Sequence, residues 1–181
     1  MVLIYIPEED SHLLSEVLKK QIPKLIEKNP DLKFLEIGCG SGLQLQTAFD
    51  SGVKTENIFS CDINPKAVRH CKKLGFNSVV SNLFQNIKGK FDAIVFNPPY
   101  LPLDLLEPKE SRIATTGGLQ GSEIINEFLK QSRKHLAKNG KTFLVTSSLT
   151  KGINFLEFRK KIIARKKIFF EELKVWELKK N

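Results

Sequence analysis

Leu32-Lys33-Phe34-Leu35-Glu36-Ile37-Gly38-Cys39-Gly40-Ser41-Gly42-Leu43 begins as a short apolar run and ends in alternating glycines. Leu32 to Ile37 predicts a buried strand, and Leu43 to Phe49 predicts a helix. Glycines at such a turn allow positive φ and let backbone amides approach a ligand closely. The helix N-terminus that follows adds partial positive charge. The spacing is GxGxG, with Leu43 where a dinucleotide fingerprint needs its third glycine, which disfavours NAD or FAD.

The same alternation of strand and helix continues outward. Upstream, Leu13, Leu14, Val17, Leu18, Ile22, Leu25 and Ile26 have helical spacing over Ser11 to Lys28, with Asp10 or Ser11 placed as cap and Pro23 as a kink. Downstream, Asn57 to Asp62 predicts the second strand. A helix opened by Pro65 runs to about Leu74 and is ended by Gly75. Asn77 to Val80 and Phe91 to Phe96 predict strands three and four. A long loop runs from Asn97 to about Gln120, and Gly121 to Leu136 predicts an amphipathic helix. Asn139-Gly140 predicts a turn before strand five, Lys141 to Thr146. A helix is expected near Asn154 to Ile163, then one or two strands over Lys167 to Leu178. This order specifies an α/β fold with a mostly parallel central sheet, helices on both faces and an antiparallel C-terminal strand. In such sheets ligands bind at the carboxyl ends of the strands, so the chemistry belongs in the loops after strands one to four.

At 181 residues the chain fits one domain, 1–181, with one core; a domain of this size buries about 70% of the surface of its unfolded chain. No apolar run approaches the roughly 18 residues of a membrane span. Met1 to Ile6 is apolar but meets Pro7 and three acids at once, so a secretory signal is not expected and a cytoplasmic protein is. Cys39, Cys61 and Cys71 form no CxxC pair and read as reduced, buried thiols. His12, His70 and His135 are scattered, so no metal site and no triad is expected. The net charge of +9 suits polyanionic partners,. Its carriers are nonetheless spread along the helices and the C-terminal third, as on an ordinary Lys-rich surface.

Asp62 closes the second strand about 20 residues after the glycine loop, where a carboxylate can accept hydrogen bonds from both hydroxyls of a ribose. In isolation it would serve equally as a helix cap before Pro65. Asn82-Leu83, after strand three, could read an adenine edge through the polar side chain and adjacent backbone, while Leu83 packs on its face. After strand four stands Asn97-Pro98-Pro99-Tyr100. A residue before proline is excluded from the α region, so Asn97 and Pro98 lie in a rigid extended turn. The Asn97 side-chain oxygen and the Pro98 carbonyl can accept the two N–H bonds of a planar –NH2, while Tyr100 packs on its flat face. Orienting both N–H groups aims the nitrogen and favours the charge that develops on it.

The glycine loop, Asp62 and Asn82-Leu83 together resemble the class I S-adenosyl-L-methionine-dependent methyltransferases, a Rossmann-like family, over nearly the whole chain. The resemblance implies that Gly38, Gly40 and Gly42 line the methionine and ribose side of S-adenosyl-L-methionine and that Glu36 helps to hold its methionine part. Asp62, Asn82 and Leu83 would then take the nucleoside; Asn82 stands where the family most often has Asp. Asn97, Pro98, Pro99 and Tyr100 would form the substrate-binding and catalytic loop, with Asn97 also bordering the cofactor. Motifs of the NPPY type occur in adenine-N6 methyltransferases of DNA or RNA and in the HemK-like enzymes that methylate the glutamine of a Gly-Gly-Gln loop in release factors.

Two further strings favour the second group. Tyr5-Ile6-Pro7-Glu8-Glu9-Asp10-Ser11-His12-Leu13-Leu14 resembles the opening of the archaeal and eukaryotic release-factor glutamine methyltransferases, in which the Asp-Ser/Thr step approaches the cofactor. This nominates Ser11 and Asp10 and makes residues 1–30 a cofactor-covering segment and helix. Gly117-Gly118-Leu119-Gln120-Gly121-Ser122-Glu123-Ile124-Ile125 resembles a second stretch of that family, with Thr115-Thr116 where an aromatic or acidic residue often precedes the paired glycines. The N-terminal segment is short, as in the compact archaeal-type branch. The resemblance implies N5-methylation of a glutamine in a class-1 translation release factor, with a small zinc-binding activator subunit that covers apolar surface at the sheet edge. Adenine-N6 methylation of nucleic acid is the second expectation, and a cofactor-binding scaffold without activity the third.

Overall fold

In chain order the elements are α1 (Glu9–Ile26), β1 (Phe34–Ile37), α2 (Leu43–Asp50), a 3-10 turn (Thr55–Asn57), β2 (Ile58–Asp62), α3 (Pro65–Lys73), β3 (Asn77–Val80), β4 (Phe91–Phe96), α4 (Glu123–His135), β5 (Leu136–Ser147), β6 (Phe158–Ile168) and β7 (Glu171–Lys180). The computed structural model describes residues 5–104, 106, 115–155 and 157–181. The expected loop from Asn97 to Gln120 is therefore described in part, and the first four residues of the apolar start lie outside the described residues.

The strands form one sheet in the order β3-β2-β1-β4-β5-β7-β6. The first five are parallel; β7 is antiparallel to β5, and β6 to β7. The chain enters at the centre with β1, winds out to β3 and then crosses to β4. The strand order thus reverses between β1 and β4, and the loops leaving their carboxyl ends flank a crevice.

Alternation along the strands separates two cores. Phe34, Ala93, Val95, Phe143, Val145 and Val175 face α1, α2 and α3. Leu35, Ile37, Ile94, Phe96 and Leu144 face α4. Full burial of side chains such as Phe34, Phe128 and Phe143 stabilises by about 1.5–3 kcal/mol each. Glu36 falls between Leu35 and Ile37, so the same alternation directs it toward the α1–α2 face, beside the glycine loop.

Three expectations are corrected. The helix expected over Asn154 to Ile163 is strand β6 from Phe158 onward, paired with β7 over its whole length. Phe158, Ile162 and Ile163 fit a helical spacing, but the hydrogen-bonded ladder with β7 overrides that local preference. Asn139-Gly140 makes no turn. It lies inside β5, where the register against β4 shifts between Phe91 and Ala93, and a Cβ on Gly140 would come 2.9 Å from the Phe91 carbonyl oxygen. Asp10 and Ser11 do not cap α1, because the helix begins at Glu9, with Glu8 in the cap position. Both therefore sit in the first turn, buried. The helix continues through Pro23, and the Pro23 carbonyl accepts the Glu27 amide at 3.0 Å.

The two edges of the sheet differ. On β3, Val79 and Val80 are exposed. On β6, Arg159, Lys160, Lys161, Arg165, Lys166 and Lys167 are exposed.

Candidate active site

The loop after β1 takes its shape from three left-handed residues, Gly38 at φ 69°, Gly40 at φ 46° and Gly42 at φ 79°. The Gly38 and Cys39 amides both donate to the Cys61 carbonyl, at 2.8 and 3.0 Å, which fastens the loop to the end of β2. Gly38 and Gly40 line a cavity of about 640 Å³ at the carboxyl ends of β1, β2 and β4. Gly42 does not line it. A Cβ there would lie 3.2 Å from Leu74 Cδ1 and 3.3 Å from Cys71 Sγ, so this glycine brings the start of α2 close to α3.

Asp62 ends β2 with both carboxylate oxygens engaged. Oδ2 accepts the Gly40 amide at 2.9 Å and Oδ1 the Asn64 amide at 2.8 Å. Each oxygen retains lone-pair capacity, and the residue lines the cavity,. The cap of α3 is Asn64, whose side-chain oxygen accepts the Lys66 amide at 3.0 Å. After β3, Ser81, Asn82 and Leu83 continue the cavity wall. Leu83 is left-handed at φ 48°. Its carbonyl accepts from Ser81 Oγ at 2.9 Å and Cys61 Sγ at 3.2 Å, which holds the strained turn,. Burial pushes the Cys61 thiol up to about 12, which keeps it protonated as that donor.

Glu36 lines the same cavity. Burial raises its carboxyl well above the ordinary range, with the Cys39 and Asp62 charges adding to the rise; a bond from the Leu45 amide opposes it. Oε2 is buried without a hydrogen-bond partner among the described residues.

At the end of β4, Asn97 Nδ2 donates to Ser11 Oγ at 3.2 Å. Its Oδ1 is buried and unpartnered among the described residues. Asn97, Pro98 and Pro99 line the cavity, as do Ser11 and Asp10. Tyr100 does not. Its ring packs against both cores, and its hydroxyl donates to Asp10 Oδ2 at 3.1 Å. The ring expected on the flat face of a substrate thus lies beneath the loop. Tyr5 also donates to Asp10, at 3.1 Å to Oδ1, and lies over Gly40, 4.0 Å from the place of a Cβ there. Burial and the Asp10 charge raise both phenols, so both stay protonated as donors.

Some working residues escaped the reading of the sequence. A Cβ on Gly117 would overlap the Gly121 carbonyl and lie 2.5 Å from that of Pro99, and one on Gly121 would overlap the Tyr100 carbonyl. The glycine-rich stretch before α4 therefore packs directly on the backbone of the proline loop. Its glycines were visible, but this function was not. Thr150 Oγ1 donates to the Tyr100 carbonyl at 2.8 Å, and Gln44 Nε2 to the Ser11 carbonyl at 2.8 Å; no sequence signal marks either residue. Glu123, Ile124 and Glu127 of α4 close the far wall.

The cavity has one wall of backbone turns and Leu83, the Asp62 carboxylate with lone-pair capacity to spare, and the buried carboxyl group of Glu36, whose Oε2 has no partner among the described residues. An elongated molecule with a nucleoside at one end and an ammonium at the other fits this donor set. Asn97 lines the same cavity from the end of β4.

Residues 9–167 match the methyltransferase small domain family. A provisionally named protein N5-glutamine methyltransferase of Methanocaldococcus jannaschii is 39% identical, with 95% of this chain and 89% of that protein covered. Methyltransferase HEMK2 of Mus musculus is 30% identical, with 79% of this chain and 71% of that protein covered. Among solved structures, the Mtq2–Trm112 complex of E. cuniculi, described as responsible for methylation of the termination factor eRF1, aligns over 100% of both chains. Its TM-score is 0.74 at 23% identity, a likeness of fold. Among the described residues no helix is long and apolar enough to cross a membrane.

Proposed function

The chain belongs to the methyltransferase small domain family, with the HemK-like glutamine methyltransferases, and from that premise we propose that it methylates the N5 amide of the glutamine in the Gly-Gly-Gln loop of a class-1 translation release factor. S-adenosyl-L-methionine is the methyl donor and, when bound, presents a methyl carbon with a sulfonium leaving group. The observation that carries the proposal is the Oδ1 of Asn97, buried and without a partner among the described residues, beside Ser11 at the end of β4. An unsatisfied buried acceptor costs about 1–3 kcal/mol. An amide N–H of the substrate removes that cost.

In this reading Asp62 receives the ribose hydroxyls, Asn82 and Leu83 border the adenine, and Oε2 of Glu36 receives the ammonium of the methionine part. Asn97 Oδ1 and the Pro98 carbonyl accept the two N–H bonds of the glutamine amide and turn its nitrogen toward the methyl carbon. As the N–C bond forms, the C–S bond breaks. The nitrogen then releases one proton to water, so the site needs no strong base. Tyr100 contributes from below: with its hydroxyl on Asp10 and its carbonyl on Thr150, it fixes the backbone that presents Pro98. Electrostatic and orienting contributions of this kind act because they are in place before the reaction.

The Trm112 subunit named with the E. cuniculi relative suggests a place for a small partner here. Val79 and Val80 on the edge strand β3 are exposed, and an open edge accepts an added strand. Zinc, where such a partner carries it, belongs to the partner. Incubation with labelled S-adenosyl-L-methionine, the release factor from the same source and, separately, adenine-containing DNA and RNA tests the substrate. Label on the Gly-Gly-Gln glutamine is expected. Label confined to nucleic acid would overturn the proposal in favour of adenine-N6 methylation.

A further inference from the structure

The hairpin between β6 and β7 breaks two local rules at once. Ile168 pairs with Glu171, which leaves Phe169-Phe170 as a two-residue turn. Turns of that length favour Gly, Asn or Asp, because their backbone needs positive φ. Here Phe169 is left-handed at φ 46°, and both rings stand in solvent, 88% and 99% exposed. Neither ring packs on the fold, so the strain and the exposure stabilise nothing within the chain. Departures of this kind, uncompensated in the fold, mark places where a partner supplies the missing contact.

The turn lies at the same end of the sheet as the proposed reaction. Leu173 of β7 lies opposite Ser147, the last residue of β5, so Phe170 stands three residues past the end of β5, roughly 10 Å at strand rise. This is the carboxyl end of the parallel strands, the same end as Asn97. The base of the hairpin is fixed to the catalytic loop by short steps. Ser148 N donates to the Glu172 carbonyl, and Glu172 N to Ser148 Oγ, both at 2.9 Å; two residues on, Thr150 holds Tyr100. On the other side, Lys166 is ion-paired with Glu9 at the start of α1, in the same turn as Asp10 and Ser11. The turn is thus an apolar post at the same end of the sheet as the site, braced at its base.

We propose that Phe169 and Phe170 dock the folded protein substrate, inserting into an apolar recess beside the loop that carries the methyl-accepting glutamine. The inference rests on the proposed reaction with a release factor and adds the surface by which the whole protein, rather than its loop alone, is recognised. A short peptide reaches Asn97 without touching the post, whereas a folded domain delivering the same loop meets it.

The test replaces the turn by one that the hairpin prefers, Phe169→Asn with Phe170→Gly, and compares methyl transfer to the intact release factor and to a short Gly-Gly-Gln peptide. The variant is expected to melt no lower than wild type, to bind S-adenosyl-L-methionine unchanged and to methylate the peptide unchanged. Its KM for the intact factor should rise at least tenfold with kcat retained. A KM for the intact factor within twofold of wild type would overturn the proposal, as would an equal loss on the peptide. A variant that instead loses self-association in sedimentation, or loses binding to anionic phospholipid vesicles, with KM unchanged, would assign the post to that occupant and overturn it too. Wild-type protein that modifies neither protein nor peptide would refute the reaction itself, and this is read before any variant is compared.

Discussion

The side-chain amide of Asn97 donates through Nδ2 to Oγ of Ser11 at 3.2 Å, joining the end of β4 to the first turn of α1. An amide has two chemically different ends, and with Nδ2 on Ser11 the oxygen Oδ1 is left buried and without a partner among the described residues. Asn97→Ala is expected to lower kcat at least 100-fold, the scale on which a positioned polar group acts in a transition state. Affinity for S-adenosyl-L-methionine, measured by calorimetry, should stay within a few-fold. Parallel loss of both would show that the residue is structural. Ser11→Ala removes only the orienting bond, worth about 1 kcal/mol, so kcat should fall several-fold and Ser11→Thr should restore it.

Asp62 both shapes and binds. Asp62→Ala strands the Gly40 and Asn64 amides and removes the acceptor for the ribose. Cofactor affinity should fall at least 30-fold, about 2 kcal/mol, in the range of hydrogen bonds to a charged group. The melting temperature of the ligand-free protein should fall as well. An affinity equal to wild type would remove the ribose assignment.

Glu36 gives a pH signature. Its folded-state pKa is raised by burial from an ordinary 4.5, so the folded protein holds the proton more tightly than the unfolded chain. Its contribution to stability is complete below about pH 4.5 and is lost as pH rises through the folded-state value. Glu36→Gln should flatten that part of the pH dependence of melting in the ligand-free protein. The same variant should gain less from S-adenosyl-L-methionine, since the ammonium loses its carboxylate. A cofactor-induced rise in melting temperature equal to that of wild type would contradict the pairing.

Gly117→Ala tests the brace beneath the proline loop. Gly117 has no positive φ, so the substitution acts through space alone: the new methyl meets the Gly121 and Pro99 carbonyls. Overpacking of this kind costs about 1–3 kcal/mol. Transfer should fall while cofactor affinity is largely kept, because Gly38, Gly40 and Asp62 are not touched. A variant with full activity would show that the loop tolerates displacement.

The β1–α2 loop could be read from the chain because strained turns restrict residue choice: Gly38, Gly40 and Asp62 stand where their pattern predicted, at the cavity. Asn97-Pro98-Pro99 was legible for a similar reason, since proline constrains its own backbone and that of its neighbour. Gly42 and Tyr100 were misplaced. A glycine that admits a neighbouring helix and one that admits a ligand look alike in sequence, and a tyrosine can present either its ring or its hydroxyl. The segment from Phe158 to Ile163 was misread as helix because Lys and Ile suit either element, and its partner strand lies further along the chain. The links from Ser11 to Asn97 and from Thr150 to Tyr100 span distances over which no local pattern extends.

The two margins of the sheet have different capacities for growth. The β6 margin places basic side chains beside its outer backbone, with Arg165 paired to Glu172 and Lys166 to Glu9, so a second copy approaching it edge to edge would bring mostly like charges together. The β3 margin has valines there instead. The partner proposed for that margin would lie at the opposite edge of the sheet from the β6–β7 hairpin, so the two surfaces do not compete for the same ground.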